Sequence, residues 1–201
     1  MLFRSLEKGV TPILLSTNAV FDCREPLMTA DRMKSPTSLY GQLKSEAEDA
    51  ILELSPKSIV VRLTKVLTAD AELFSIWWRR LNDGQKIHAA LDHRLAPVSG
   101  SHAVESLIRI AALGSGGIHQ VSASSDLSYV DVAHRMADKA DKSRSLVEAR
   151  SATELGIPAN EVMHYTSLNT RQTSALTGIK SPDPYAAVEE MIDLLSARSR
   201  S

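Results

Sequence analysis

Residues 12–17, Pro-Ile-Leu-Leu-Ser-Thr, and residues 58–63, Ser-Ile-Val-Val-Arg-Leu, are short apolar runs on either side of a long helical segment, Ser38 to Leu54. Continuous apolar runs of this length, bounded by turn formers, predict strands buried on both faces of a parallel sheet. Ser38 suits an N-cap, because its hydroxyl can accept from an early helical N–H. Strand, helix and strand in this order form a parallel crossover unit, right-handed by default. Such units hold ligands at the carboxyl ends of their strands, and Ser16 and Thr17 stand at one such end.

The predicted helix carries Tyr40 and Lys44. Residues i and i+4 share a helical face, so phenol and ammonium are neighbours. A fixed cation favours the phenolate of a tyrosine that otherwise titrates near ~10, and each unit of depression takes roughly 1.4 kcal/mol. With the Thr17 hydroxyl holding an oxygen and Tyr40 passing it a proton, the set suits acid–base chemistry on an alcohol/ketone pair.

Outward from this unit, residues 2–8 read as the last turns of a helix closed by Gly9, and Asn18 to Ser35 as loop broken at Pro26 and Pro36. Helices are predicted at Glu72–Asn82, Ser101–Leu113, Leu127–Lys139, Thr170–Leu176 and Pro184–Leu195, with a frayed tail from Ala197. Lys86–Leu91 reads as a short strand and Ile118–Ser122 as a third strand of the sheet. The expected organisation is α/β: residues 1–68 carry the parallel crossover unit, residues 69–98 and 126–201 a smaller, mostly helical lobe, and 99–125 a helix and strand that return to the sheet.

The 201 residues include 23 basic and 24 acidic side chains, a balance that leaves no electrostatic footprint for nucleic acid or an anionic membrane. No apolar run approaches the roughly 20 residues of a membrane helix, and no signal-peptide pattern is present. The single cysteine, Cys23, excludes an internal disulfide framework and suits a reducing cytoplasm. Cys23 is expected to be a partly buried spectator, with a reactive thiol beside the site loop as the alternative. The six histidines show no metal-ligand spacing, so no metal is expected. Trp77 and Trp78 are expected to pack in a core or interface, with base stacking and Arg79 or Arg80 on a pyrophosphate as the alternative.

A strand ending in Ser-Thr, a loop, Pro36-x-x-x-Tyr40-Gly41-x-x-Lys44-x-x-x-Glu48 at a helix start and a strand ending in Arg62 resemble the extended short-chain dehydrogenase/reductases, whose fold is of Rossmann type. Ser16-Thr17-Asn18-Ala19-Val20-Phe21-Asp22 is most similar to the Ser-Thr-Asp-x-Val-Phe-Asp signature of dTDP-4-dehydrorhamnose reductases and their nucleotide-sugar relatives. Val61-Arg62-Leu63-Thr64, Asp92-His93-Arg94-Leu95-Ala96-Pro97-Val98 and Gly117-Ile118-His119-Gln120-Val121 extend the likeness, while the last third matches loosely.

The resemblance implies an NAD(P)H-dependent reductase acting on a nucleotide-linked 4-keto sugar. The same fold also serves as a non-catalytic regulatory protein, or as an epimerase or dehydratase. It implies Thr17 as the group that orients the reacting oxygen, Tyr40 as the acid and Lys44 as its partner. Ser16, Tyr40 and Lys44 would hold the cofactor, NADP or NAD; Asn18, Val20, Phe21, Arg62 and Asp92 would contact substrate, with structural hydrogen bonding at the strand end as the equal alternative for Arg62.

The sequence departs from the pattern at Asn18, Ala19, Lys65, Leu95 and Ala96. It also has no Gly-rich turn between a first strand and a first helix, the element that lets backbone N–H groups approach a pyrophosphate. Its glycine cluster, Gly114 to Gly117, follows a helix instead. The resemblance therefore implies only the later strands of a doubly wound parallel sheet, with the catalytic motif in residues 1–68, the smaller lobe as a substrate lobe, and a Gly-rich half outside this polypeptide. The strand at Ile13–Ser16 is then an exposed edge, and the chain is expected to self-associate or to pair with that half.

Overall fold

The computed structural model describes residues 10–198. The helix expected at residues 2–8 lies outside the described residues, as do residues 199–201 of the tail. Strand β1 (Ile13–Thr17), helix α1 (Leu39–Leu54) and strand β2 (Ile59–Leu63) form the crossover unit. Ser38 caps α1, its Oγ accepting from the Gly41 N–H at 3.1 Å. There follow β3 (Val66–Leu67), α2 (Glu72–Asn82), β4 (Ile87–Ala90), β5 (Arg94–Leu95) and β6 (Val98–Ser99). Then come α3 (Gly100–Leu113), β7 (Gly117–Val121), β8 (Leu127–Ser128), α4 (Tyr129–Lys139), β9 (Val147–Arg150), α5 (Arg171–Thr177) and α6 (Pro184–Arg198).

The main sheet has the order β1-β2-β7, all parallel, with Thr17 opposite Leu63 and Leu63 opposite Val121. Side chains alternate across a strand, so the two faces take different partners. Ile59, Val61, Leu63 and Val121 pack with Leu107 and Ile110 of α3. Ser16 and Arg62, opposite each other in register, meet Glu48 of α1 on the other face. Helices on both faces make the sheet doubly wound, as expected.

Burial on both faces fails at β1. Ile13 is 39% and Leu15 46% exposed, because the α3 cluster draws its sheet residues from β2 and β7 and none from β1. Among the described residues β1 pairs with β2 alone, leaving an apolar edge of the kind that recruits another chain. Light scattering over about a hundredfold range of concentration should show mass rising with concentration, and Leu15→Lys should suppress the rise. A constant monomer mass would refute the expectation.

The lobe has its own interior, in which Phe74, Trp77, Trp78 and Leu81 of α2 pack with Val132 and Met136 of α4 and Val188, Met191 and Ile192 of α6. Phe74 and Trp77 meet edge to face at 5.6 Å. The tryptophans are therefore packing residues, and Arg79 and Arg80 are exposed beside them. A third, smaller cluster of Val20, Phe21, Met28 and Leu168 lies under the 18–35 loop. Around the lobe, β4 pairs β9 in parallel, β5 pairs β8 antiparallel, and β3 pairs β6. Among the described residues no helix is long and apolar enough to cross a membrane, and no group of acidic, His or Cys side chains could hold a metal.

Candidate active-site cleft

Beyond the carboxyl ends of β1 and β2 opens a cavity of about 570 Å³, a size usual for small-molecule sites. One wall carries Ser16, Thr17, Asn18, Tyr40 and Lys44; the other carries His93, Arg94, Tyr129, Met163 and Thr166 from the lobe. Five of the residues singled out from sequence thus meet in one place. Val20, Phe21, Arg62 and Asp92 are not among the lining residues.

Thr17 ends β1 and caps a 3-10 turn, Asn18–Val20, its Oγ1 accepting from the Ala19 N–H at 3.2 Å. That bond uses a lone pair and leaves the hydroxyl hydrogen to be donated into the cleft. Tyr40, in the first turn of α1, is 56% exposed. The Lys44 Nζ donates to the Leu15 carbonyl of β1 at 2.9 Å and stands 5.9 Å from the Tyr40 ring centroid. The i+4 spacing delivers the expected neighbours, and a main-chain carbonyl on the open edge of β1 fixes the ammonium. Asn18 is buried and directs its Nδ2 to Cys23 Sγ at 3.6 Å.

The close approach of α1 to the 18–20 turn depends on Gly41. A Cβ there would lie 2.1 Å from the Ala19 carbonyl oxygen and 3.0 Å from Pro36 Cβ. Gly41→Ala should therefore push α1 away from β1, cost about 1–3 kcal/mol as an overpacked contact and lower the Tm by several degrees. An unchanged melting curve would refute this account.

Arg62 is not among the residues lining the cleft, and its guanidinium makes the structural hydrogen bonds that stood as the alternative to a site role. It is 1% exposed, with Nε donating to Glu48 Oε1 at 3.0 Å, Nη2 to Glu48 Oε2 at 2.7 Å and Nη1 to the Ala30 carbonyl at 3.1 Å. The Ser16 hydroxyl donates to the same Glu48 Oε1 at 2.5 Å, so its proton is already committed. Phe21 lies under the guanidinium at 4.9 Å, and Val20 and Phe21 are core rather than substrate contacts. Asp92 accepts from the Ala152 N–H at 2.7 Å, which fixes a lobe loop.

The opposite wall was mostly invisible in sequence. His93 accepts from the Met163 N–H through Nδ1 at 3.0 Å and stacks on Tyr129 at 5.4 Å. An accepting Nδ1 puts the proton of the neutral ring on Nε2, and burial holds the His93 pKa below its ordinary value, favouring that neutral form. Burial likewise raises the Tyr129 phenol, keeping it protonated. Thr166 ties the walls together: the Thr64 Oγ1 donates to the Ala96 carbonyl at 2.5 Å, the Ala96 N–H to Thr166 Oγ1 at 2.6 Å, and Thr166 Oγ1 to Asp126 at 2.9 Å. Asp126 further accepts from the N–H groups of Thr166 and Ser167 and from the Ser167 hydroxyl.

Cys23 adjoins the cleft but is 3% exposed, and burial pushes its thiol up to about 11, so it is a spectator as expected. The described glycines do not build a pyrophosphate cradle: Gly41 and Gly116 are pressed against backbone, Gly100 is a lone glycine beside Thr68, and Gly114 is the left-handed C-cap of α3. The described glycines thus offer no cradle for a diphosphate, while Tyr40 and Lys44 present a phenol and an ammonium to the cleft.

The structure is similar to dTDP-4-dehydrorhamnose reductase from Clostridium acetobutylicum, with TM-score 0.81 and 22% identity over 96% of this chain and 68% of that one. The enzyme of the same name from Bacillus anthracis, solved with NADP, gives 0.82 and 20% over 94% and 67%. The dTDP-glucose 4,6-dehydratase of Bacillus anthracis, solved with NAD, gives 0.83 and 13% over 99% and 66%. At these identities the likeness is one of fold. No curated protein sequence matches the chain. The model of the RmlD substrate binding domain matches residues 4–197, nearly the whole length, and the chain belongs to that family.

Proposed function

We propose that this chain performs the acid–base half of a nicotinamide-dependent reduction of a nucleotide-linked keto sugar. The observation that carries the reading is the meeting of Thr17, Tyr40 and Lys44 at one cleft mouth, beyond the ends of β1 and β2. The free hydrogen of the Thr17 hydroxyl holds the substrate carbonyl oxygen, and Tyr40 delivers a proton to that oxygen as the alkoxide forms. Lys44 places its positive charge beside the phenol that gives up the proton. A dihydronicotinamide supplies the hydride in such a reduction, with Tyr40 and Lys44 placed to hold its ribose hydroxyls. NADP and NAD are named for two of the structural relatives.

Titration with NADPH, followed by nucleotide fluorescence, and then turnover of a dTDP-4-keto sugar test the reading. Saturable binding and oxidation of NADPH are expected. Absence of binding up to about 1 mM would overturn cofactor-dependent catalysis by this polypeptide. The described glycines favour a second reading, a nucleotide-sugar binding protein without redox activity. Sugar-nucleotide binding without NADPH binding would establish it.

A further inference from the structure

None of the residues lining the cleft is aspartate or glutamate, while three are permanent cations: Lys44, Lys65 and Arg94. Lys44 is engaged by the Leu15 carbonyl. The side chains of Lys65 and Arg94 have no hydrogen bond or ion pair among the described residues. A second surface groove, between α4 and α6, is a useful contrast. There Arg135 and Lys139 meet Glu189, and Arg144 meets Asp138, so each of these cations already has a counter-charge. In the cleft two such cations without a counter-charge, Lys65 and Arg94, line one cavity of ligand size.

Their placement is specific. Leu63 lies opposite Thr17 in the sheet, and Lys65 follows it by two residues, so this ammonium belongs to the sheet wall at the same strand ends. Arg94 sits on β5 in the lobe wall, its strand position fixed by Ser128 across the β5-β8 pair. A neutral imidazole at His93 and a protonated phenol at Tyr129 bring further polar groups without negative charge. Partial exclusion of water strengthens the attraction of such a site for an anion, and guanidinium in particular can pair two oxygens at once.

We propose that Lys65 and Arg94 form an oxyanion site that clamps a phosphate or carboxylate of the ligand between the sheet wall and the lobe wall. The inference rests on the cleft being the substrate site, and it adds a charge requirement to that reading. The oxyanion has two sources in a nucleotide sugar: the diphosphate, or a carboxylate on the sugar ring.

Isothermal titration calorimetry of the full chain with dTDP, thymidine, UDP-glucose and UDP-glucuronate, without any nicotinamide, tests the proposal. Lys65→Gln and Arg94→Gln, each shown by melting temperature to be folded, should weaken binding of the anionic ligand about tenfold to a hundredfold and leave thymidine unchanged. If the diphosphate is the source, dTDP, UDP-glucose and UDP-glucuronate all weaken alike. If a ring carboxylate is the source, UDP-glucuronate binds more tightly than UDP-glucose to the wild type, and the gap closes in the variants. Wild-type affinities in both variants, equal loss for thymidine, or no binding of dTDP and UDP-glucuronate at about 5 mM would overturn it. Anion binding through these cations in a chain that never oxidises NADPH would refute the reductase reading alone.

Discussion

Glu48→Ala should cost about 3–5 kcal/mol, enough to remove much of the stability of a domain that holds about 5–15 kcal/mol in all. Glu48 is fully buried and receives two bonds from Arg62 and one from Ser16. Truncating it leaves a guanidinium, itself 1% exposed, with only the Ala30 carbonyl for a partner. An uncompensated buried charge is what makes such a deletion severe, whereas removing both charges together is often close to neutral. Glu48→Leu combined with Arg62→Leu should accordingly recover part of the loss. Urea denaturation measures both. A shift within about 0.5 kcal/mol for Glu48→Ala would show that the pair is not confined as described.

Tyr40→Phe should lower kcat of the proposed reduction by about 10²–10⁴, the usual contribution of a positioned acid. The ring remains to line the cleft, so KM for the sugar nucleotide should change little, the pattern of a group that acts in the transition state. At 56% exposure the hydroxyl is not a structural element, and melting should be unchanged within about 0.5 kcal/mol. Retained activity would remove Tyr40 from the mechanism. A matching loss of stability would assign the effect to folding instead.

The crossover unit was legible because its signals are local. Ser38 marks the start of α1, Asp83-Gly84 marks the end of α2 and the apolar runs mark β1 and β2, all within a residue or so of the observed bounds. Tyr40 and Lys44 were legible for the same reason, since four residues along a helix is a distance in space. Arg62 stood open between a site role and a structural one because a strand-end position tells which end of the sheet a residue occupies, not which face. The register that sets Arg62 beside Ser16, and so beside Glu48, is a long-range fact. The far wall was missed for a similar reason: His93, Tyr129 and Met163 come from three separate segments joined only in the fold. The two-residue strands β3, β5, β6 and β8 are too short to show any alternation.

The apolar interior is split into a large lobe cluster, a small one between the sheet and α3, and a third under the 18–35 loop. Beside the cleft the two parts are joined by the short chain of bonds from Thr64 through Ala96 and Thr166 to Asp126, and by the Cys23 and Met28 carbonyls, which accept from the Tyr165 and Asn169 N–H groups. Bonds of this kind are worth about 0.5–1.5 kcal/mol each, far less than a shared core would supply. The cluster of Val20, Phe21 and Met28 with Leu168 supplies a shared core on a small scale, so the two walls of the cleft are fastened by packing as well as by bonds.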